Sequence, residues 1–204
     1  MGFYQDHILP HLVDLAMRNA QLAPYRERTA AAAEGQVLEI GIGSGLNLPL
    51  YGPQVREVLG LEPSPRLIEM ARGAAKEARP PVTFIEGLAE AIPLDRASVD
   101  TVVTTWTLCT IPQAIPALEE MRRVLRPGGQ LLFVEHGLAP EERVRWWQNR
   151  LTPVWRPIAG GCHLNRPIRT LIETAGFTIT ALENSYVPKT PRMMGYLYQG
   201  RATP

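Results

Sequence analysis

Three glycines alternate with other residues where an apolar run ends near the N-terminus. Residues 37–47 read VLEIGIGSGLN, so Glu39 precedes Gly41, Gly43 and Gly45. Glycine allows the positive φ angles of a tight turn and lets a ligand lie against bare backbone. Dinucleotide sites use GxGxxG, whose third glycine packs helix on strand beside a pyrophosphate. The GxGxG spacing therefore favours a nucleoside ligand without phosphates over NAD, with a purely structural turn as the alternative.

A second acidic residue ends the next apolar run. Residues 58–61 read VLGL and lead to Glu62, 17 positions after Gly45 (62 minus 45). In nucleoside-binding α/β folds, a carboxylate at the end of the second strand holds the ribose, because its oxygens can accept both hydrogen bonds of a diol. A solvated strand end is the alternative for Glu62 alone.

Composition describes an ordinary globular chain. It has 204 residues, a formal net charge of +1, 45% hydrophobic residues and 20% charged residues. This length suits one domain, and no long basic run suggests nucleic acid as a partner. Cys109 and Cys162 are too few for a disulfide framework and indicate free thiols in a reducing compartment. No run approaches the ~18 apolar residues of a membrane span, and no secretory signal is recognisable. We therefore expect a cytoplasmic protein.

Strand-like runs alternate with helical patterns along most of the chain, which predicts a doubly wound, mostly parallel α/β sheet. The last two strands are joined by a loop too short for a crossover helix and should be antiparallel neighbours. We expect one domain over residues 1–204, with an N-terminal helical lid at about 1–33 and an inserted segment at about 138–165. The seven strands are expected at 36–40, 57–61, 82–86, 99–105, 131–135, 177–183 and 193–199.

Five ordered motifs carry a resemblance over about residues 35–200. They are EIGIGSG at 39–45, LEPS at 61–64, EGLAEAIPL at 86–94, SVDTVV at 98–103 and RVLRPGG at 123–129. Each motif is loose, but five in this order are specific. The chain resembles S-adenosylmethionine-dependent methyltransferases of the Rossmann-like class, which implies that cofactor and that fold.

Further stretches resemble a narrower group, which includes the mammalian alkyl thiol methyltransferases and bacterial proteins often labelled phospholipid or quinone methyltransferases. The mammalian members carry an N-terminal hydrophobic anchor, which we do not expect here. The matching stretches are TLCTI at 107–111, EHG at 135–137, Trp147-Gln148 and GCHLNR at 161–166.

The resemblance assigns roles to cofactor residues. The three glycines approach the methionine part, Glu39 orients its amino group, and Glu62 takes the ribose hydroxyls. Many relatives have an aspartate for the adenine amino group where this chain has Leu88, so adenine recognition must use backbone or Glu90. The remaining residues expected at the cofactor are Asn47, Pro63, Ser64, Ala89, Thr104 and Thr105.

Methyl transfer from a sulfonium is an in-line displacement, so a base helps only when the acceptor arrives protonated. A thiol acceptor reacts as its thiolate. His136, just after a strand, is the candidate base, and ordering of its loop is the alternative. His163 and Asn165 are expected at the acceptor pocket, with a capping or loop role as the alternative. The spacing of Cys109, Cys162 and His163 fits no metal-ligand pattern, so we expect no metal.

Tryptophans in the inserted segment allow three interpretations. Trp147 and its neighbours could line an apolar acceptor pocket, rest at a membrane interface or pack an added helix on the sheet. Tyr4 in the N-terminal helix and Trp106 at the end of the fourth strand are also expected near the acceptor. Peripheral membrane contact stays open, and the sequence indicates no oligomeric state.

The sequence thus predicts transfer of a methyl group from S-adenosylmethionine to a small apolar acceptor, with a thiol preferred. A phospholipid amine, as in phosphatidylethanolamine, or a quinone-type ring is the alternative acceptor. A cofactor-binding protein without turnover is a further alternative, because the glycines and Glu62 bind but do not perform transfer.

Overall fold

A computed structural model describes residues 4–204, apart from the side chains of residues 5 and 6. Residues 1–3 of the expected N-terminal lid therefore lie outside the described part. Seven strands form a single sheet in the order β3-β2-β1-β4-β5-β7-β6. All neighbouring pairs are parallel except those of β7, which runs antiparallel to both β5 and β6. The expected doubly wound sheet with an antiparallel last strand is confirmed. The strands are β1 Gly35–Ile40, β2 Val55–Glu62, β3 Val82–Glu86, β4 Val99–Thr105, β5 Leu125–His136, β6 Thr178–Tyr186 and β7 Tyr196–Thr203.

Helices cover both faces because side chains alternate along the buried strands. In β1, Leu38 and Ile40 pack in one cluster with α4 and α6, whereas Val37 packs in the other with α2. A π-helical turn, Tyr4–Ile8, precedes α1. The helices are α1 Leu9–Met17, α2 Ala23–Ala31, α3 Pro65–Ala74, α4 Ala114–Val124, α5 Glu142–Ile158, α6 Ile168–Thr174 and α7 Arg192–Gly195.

Helix α5 is longer than its sequence suggests. A helix over 141–151 followed by a bend is the expectation from the prolines, yet α5 continues through Pro153 and Pro157 to Ile158. Each proline removes a bond to the carbonyl four residues earlier. Those carbonyls belong to Asn149 and Pro153 on the exposed side of the helix, where water can satisfy them.

The segment after the glycine loop is shorter than expected. The sequence predicts a helix near 47–52, cut short by Pro49 and Pro53, but only a single 3-10 turn, Leu48–Leu50, forms there. Tyr51 then adopts an extended conformation and Pro53 follows, so the chain leaves for β2. No helix in the described part of the chain is long and apolar enough to cross a membrane.

Candidate functional site

The three glycines of the loop after β1 meet different steric requirements. All three have positive φ, at 63°, 58° and 81° for Gly41, Gly43 and Gly45. A Cβ on Gly41 would lie 2.4 Å from Thr107 Cγ2, and one on Gly45 would lie 3.2 Å from Ala71 Cα in α3. A Cβ on Gly43 would meet nothing nearer than 3.9 Å. Gly41 and Gly45 therefore allow close packing of the chain, while Gly43 leaves open space for a ligand.

Glu62 is positioned by backbone at the end of β2. Its two carboxylate oxygens each accept one backbone N–H, from Gly43 at 3.1 Å and from Ser64 at 3.1 Å. The side chain is buried, and burial raises its pKa, while the two N–H groups lower it. Each carboxylate oxygen keeps a lone pair for another donor, so the geometry suits a diol.

A cavity of about 480 Å³ opens at the carboxyl ends of β1, β2 and β4, where open α/β sheets bind ligands. A shallower depression of about 680 Å³ lies at the opposite end of the sheet, around Arg126 and Pro127, and contains none of the glycine loop. The predicted residues that line the 480 Å³ cavity are Gly41, Gly43, Glu62, Pro63, Ser64, Ala89, Glu90, Thr105 and Trp106.

The other predicted residues lie outside its wall. Gly45 packs against α3. Thr105 separates Asn47 and Glu39 from the cavity. Thr104 Oγ1 donates to Glu135 Oε1 at 2.7 Å, away from the cavity. The predicted residues on the acceptor side that are not in the wall are Tyr4, His136, Trp147, His163 and Asn165.

Glu39 belongs to a buried network behind the loop. Its oxygens accept bonds from Asn47 Nδ2 at 2.6 Å and Tyr51 OH at 2.8 Å. Asn47 Nδ2 also donates to Thr105 Oγ1 at 3.2 Å, and Asn47 Oδ1 accepts from Arg26 Nη1 at 2.9 Å. Burial raises the pKa of Glu39 to about 7 against the lowering effect of its hydrogen bonds and Arg26. The carboxyl group is therefore poised to change charge near neutrality.

Arg26 lines the cavity and was not predicted. Only 8% of it is exposed, yet it has no carboxylate partner within ion-pairing distance among the described residues. Its guanidinium bonds to Asn47 and lies 5.0 Å from the centre of the Trp106 ring. Burial lowers its pKa, while Glu39 raises it. A nearly buried cation beside a cavity is a ready site for a ligand carboxylate.

The adenine side of the cavity combines a helix cap with an exposed leucine. Ser64 Oγ accepts the Leu67 N–H at 3.4 Å and caps α3, so its side chain has a structural partner. Glu90 lines the cavity and accepts the Gln113 N–H at 3.2 Å. Leu88 also lines the cavity and is 57% exposed. Recognition of an adenine amino group would therefore use Glu90 or backbone atoms.

Helix α1 covers part of the cavity. Leu9, Pro10, Val13, Asp14 and Met17 line it. Ser44 Oγ in the glycine loop donates to Asp14 Oδ1 at 2.5 Å. Tyr4 OH donates to the carbonyl of Ile158 at 2.7 Å, so the N-terminal turn is attached to the end of α5.

Beyond β4, two distant segments form another wall of the cavity, residues 106–112 and the Ala159-Gly160 turn after α5, which we name the acceptor-side wall after its predicted role. Trp106 begins it with φ of 52°, an unusual angle for a large side chain. Its N–H donates to Val134 O at 2.8 Å, which holds this conformation. The members of this wall are Trp106, Thr107, Thr110, Ile111, Pro112, Ala159 and Gly160.

Side chains fasten these two segments together. The buried Arg166 donates to the carbonyls of Leu108 at 2.7 Å and Ile111 at 2.6 Å. His163 donates its backbone N–H to Cys109 O at 2.9 Å, and its Nδ1 lies 3.1 Å from the same oxygen. Asn165 bonds to Asn149 on the exposed surface at 2.8 Å. His163 and Asn165 thus hold the turn rather than face the cavity.

Two cysteines and His136 meet behind the acceptor-side wall. His136 Nε2 lies 3.1 Å from Cys162 Sγ, and both lie within 4.8 Å of Cys109 Sγ. Both thiols are free. The neighbouring Cys109 thiol, and then His136, lowers the pKa of Cys162, whereas the neighbouring Cys162 and burial raise the pKa of Cys109. Because His136 contacts Cys162 and does not line the cavity, it does not face an acceptor directly.

Trp147 lies on the outer face of α5. It is 42% exposed and meets Trp146 edge to face, with ring centroids 4.8 Å apart. The N-terminal turn is attached to the end of α5. Further exposed apolar side chains occur in that turn, in α1 and in α5, and they are Ile8, Leu12, Val13, Leu15, Val154 and Ile158.

Comparisons with known proteins agree with this geometry. A family profile described as a methyltransferase domain matches residues 38–133. The thiol S-methyltransferase TMT1B of Homo sapiens is 34% identical over 176 residues, covering 82% of this chain and 72% of its own. The phosphatidylethanolamine N-methyltransferase of Cereibacter sphaeroides is 36% identical over 116 residues, covering 54% and 57%. A methyltransferase structure from Methanosarcina mazei superposes with a TM-score of 0.68 at 19% identity, covering 86% and 94%.

S-adenosylmethionine fits the residues present. The open face of Gly43 leaves room for a ligand, Glu62 has lone pairs for a ribose diol, and Arg26 offers a buried positive charge. From the shared sequence over most of both chains, together with this cavity, the protein is an S-adenosylmethionine-dependent methyltransferase and belongs to the family of the mammalian thiol S-methyltransferases.

Proposed function

We propose that the protein methylates the sulfur of a small apolar thiol. The observation that carries this proposal is the acceptor-side wall, which meets the cofactor cavity at the end of β4 and consists of apolar, threonine and glycine residues. Such a wall suits a small apolar molecule and offers no charged side chain to hold an anionic or cationic acceptor. The mammalian relatives are named thiol S-methyltransferases, which supports the same substrate class.

The residues act mainly by positioning. S-adenosylmethionine supplies a methyl group on a sulfonium whose sulfur leaves as a neutral thioether. Glu62 would hold the ribose, and Arg26 would hold the methionine carboxylate. The thiol would lose its proton to solvent before it reacts, and the acceptor-side wall would then align the thiolate and exclude water.

The N-terminal segment is part of this proposal. Helix α1 closes the cavity over the glycine loop through the Asp14–Ser44 bond, and the Tyr4–Ile158 bond joins it to α5. We assign the N-terminal segment to about residue 33, described from residue 4 onward, as a lid within a single domain, and the segment at about 138–165 as the acceptor-side insertion. Free thiols at Cys109 and Cys162 support a reducing compartment such as the cytoplasm.

A second acceptor class is supported by the exposed apolar side chains of α1 and α5. Exposed tryptophans among the arginines of α5 suit a membrane surface, and the Cereibacter sphaeroides relative is named for a phospholipid acceptor. In this alternative, peripheral contact with a bilayer delivers phosphatidylethanolamine to the same cavity.

The test measures S-adenosylhomocysteine release by the purified protein with an alkyl thiol, with phosphatidylethanolamine vesicles and with no acceptor. Release with the thiol alone supports the proposal, whereas release with vesicles alone replaces it with the lipid acceptor. Gly43→Val serves as the control for contaminating activity, because its side chain would fill the cavity at a positive φ. Cofactor binding without S-adenosylhomocysteine release in any of the three reactions would indicate a binding protein and overturn the thiol proposal.

A further inference from the structure

Three ligand atoms of the kind that soft metal ions prefer converge at one point outside the cofactor site. Cys109 follows β4, His136 ends β5 and Cys162 follows α5, so they come from three separate segments. Cys109 Sγ, His136 Nε2 and Cys162 Sγ all lie within 4.8 Å of one another. We call these three residues the cysteine–histidine cluster.

The distances suit a single ion. Zinc lies about 2.3 Å from thiolate sulfur and about 2.0–2.1 Å from imidazole nitrogen, so tetrahedral ligands are about 3.5–3.8 Å apart. His136 Nε2 and Cys162 Sγ are now 3.1 Å apart. Small side-chain rotations would therefore bring all three atoms to bonding distance.

The cluster is also held in place before any ion arrives. Arg166 and the backbone of His163 attach the turn containing Cys162 to the loop containing Cys109. Cys109 and His136 are buried, which limits competition from water. The buried Trp155 Nε1–H has no hydrogen-bond partner among the described residues, yet lies close enough to Cys162 to help lower its pKa. Donors around a thiolate are typical of the shell that surrounds metal ligands.

We propose that Cys109 Sγ, His136 Nε2 and Cys162 Sγ form a binding site for a thiophilic divalent metal, with zinc as the expected ion. Two thiolates and one imidazole match the preference of zinc over magnesium or calcium, which take oxygen ligands. Binding at Nε2 leaves Nδ1 of His136 to carry the imidazole proton.

Three protein ligands leave a tetrahedral zinc ion one position, which water would fill. None of the three ligands lines the cavity, so an acceptor held there does not reach the ion. Trp106 and Gly160 of the acceptor-side wall lie within three residues of Cys109 and Cys162 along the chain, and the Cys109 thiol donates to Trp106 O at 3.4 Å. The ion would therefore hold the two segments of that wall together, and no redox step is involved.

The first experiment measures metal without using activity. The reduced, metal-free full chain is titrated with zinc against a chromophoric chelator, and the bound metal is counted by elemental analysis. We expect one zinc per chain. Cys109→Ser, Cys162→Ser and His136→Gln should each weaken zinc binding by at least about 100-fold, because even outer-shell partners typically contribute about 10–100-fold. His163→Gln is the matched control, since His163 is in the same turn but outside the cluster, and should retain zinc.

Binding of S-adenosylhomocysteine, measured by calorimetry, shows that each variant is folded. A folded wild type that binds no zinc, or equal zinc affinity in wild type and His136→Gln, would overturn the site. Loss of two hydrogens in the mass of the untreated protein, with a Cys109–Cys162 crosslink, would also overturn it in favour of a redox pair.

The ligand set is tested by replacing zinc with cobalt. The cobalt-loaded protein should show a thiolate-to-cobalt charge-transfer band, and this band should be weaker in Cys109→Ser and in Cys162→Ser. Absence of the band from the cobalt-loaded wild type would overturn thiolate ligation.

Discussion

At the cofactor end of the cavity, backbone groups at strand ends do most of the positioning, whereas side chains from distant segments build the acceptor end. Glu62 is held by two backbone N–H groups at neighbouring strand ends, from Gly43 in the loop after β1 and from Ser64 just after β2. The acceptor-side wall instead depends on Arg166, which attaches its own turn to carbonyls more than 50 residues away. A shared cofactor can thus be held by a local pattern, while the acceptor surface can change through a few side-chain contacts.

The largest expected effect tests the cofactor end. Glu62→Gln should weaken S-adenosylhomocysteine binding by about 100-fold or more, because two charge-assisted hydrogen bonds to the ribose are weakened at about 1.5–3 kcal/mol each. The amide also places N–H donors against the N–H groups of Gly43 or Ser64. Isothermal titration calorimetry measures the change. Glu69→Gln, on the exposed face of α3, is the control, and a Kd within threefold of wild type for Glu62→Gln would refute the ribose contact.

Arg26 tests whether the cofactor end also uses side chains from far along the chain. Arg26→Gln should weaken S-adenosylhomocysteine binding by about 10–100-fold, because a buried charge pair with the methionine carboxylate is lost. Methylthioadenosine lacks that carboxylate and should bind wild type and variant alike. Equal losses for both ligands would show that Arg26 only supports the fold.

Arg28→Gln provides the matched control in the same helix. Arg28 is exposed and pairs with Glu183 at 3.1 Å on the surface, so its loss should leave both affinities unchanged. A similar loss of binding in both variants would locate the effect in α2 rather than in the guanidinium beside the cavity.

The same contrast decides what could be predicted from sequence. The sheet and the glycine loop follow from local apolar runs and glycine spacing, so the sequence alone predicts them. The burial of Arg26 cannot be predicted in this way, because its segment, Tyr25-Arg-Glu-Arg28, looks like any solvent-exposed charged segment. That burial comes from contacts with Asn47 and Trp106. The cysteine–histidine cluster is equally hidden, since spacing directs attention to the adjacent His163 rather than to His136.

The acceptor end can be tested with a pair of tryptophans. Trp106→Ala should lower turnover of a soluble alkyl thiol by about 10–50-fold, because the thiol loses a wall that aligns it with the methyl group. Trp147→Ala removes an exposed ring outside the cavity and should leave that turnover unchanged. Initial rates at saturating cofactor separate the two. A larger loss in Trp147→Ala would contradict the assignment of the acceptor-side wall.

The smallest expected effect is a dependence of cofactor affinity on pH. It arises from Glu39, in the buried side-chain network behind the glycine loop. Burial raises the pKa of Glu39 to about 7 in the free protein, and the cationic amino group of the cofactor favours the ionised form. Affinity should therefore rise with pH through 7 and level off above it. If cofactor binding lowers the pKa of Glu39 well below 6, the affinity should change about 10-fold between pH 6 and pH 8.

The free protein should show the opposite trend in stability. Because the folded pKa of Glu39 lies above its unfolded value, its stabilising contribution is present below about pH 4.3 and is lost as pH rises to about 7. Thermal shifts from added S-adenosylhomocysteine should thus be larger at pH 8 than at pH 6, and Glu39→Gln should remove most of this difference. A pH dependence that persists in Glu39→Gln would assign the titration elsewhere, and the backbone groups of the loop would then carry the cofactor end without help from this buried carboxyl group.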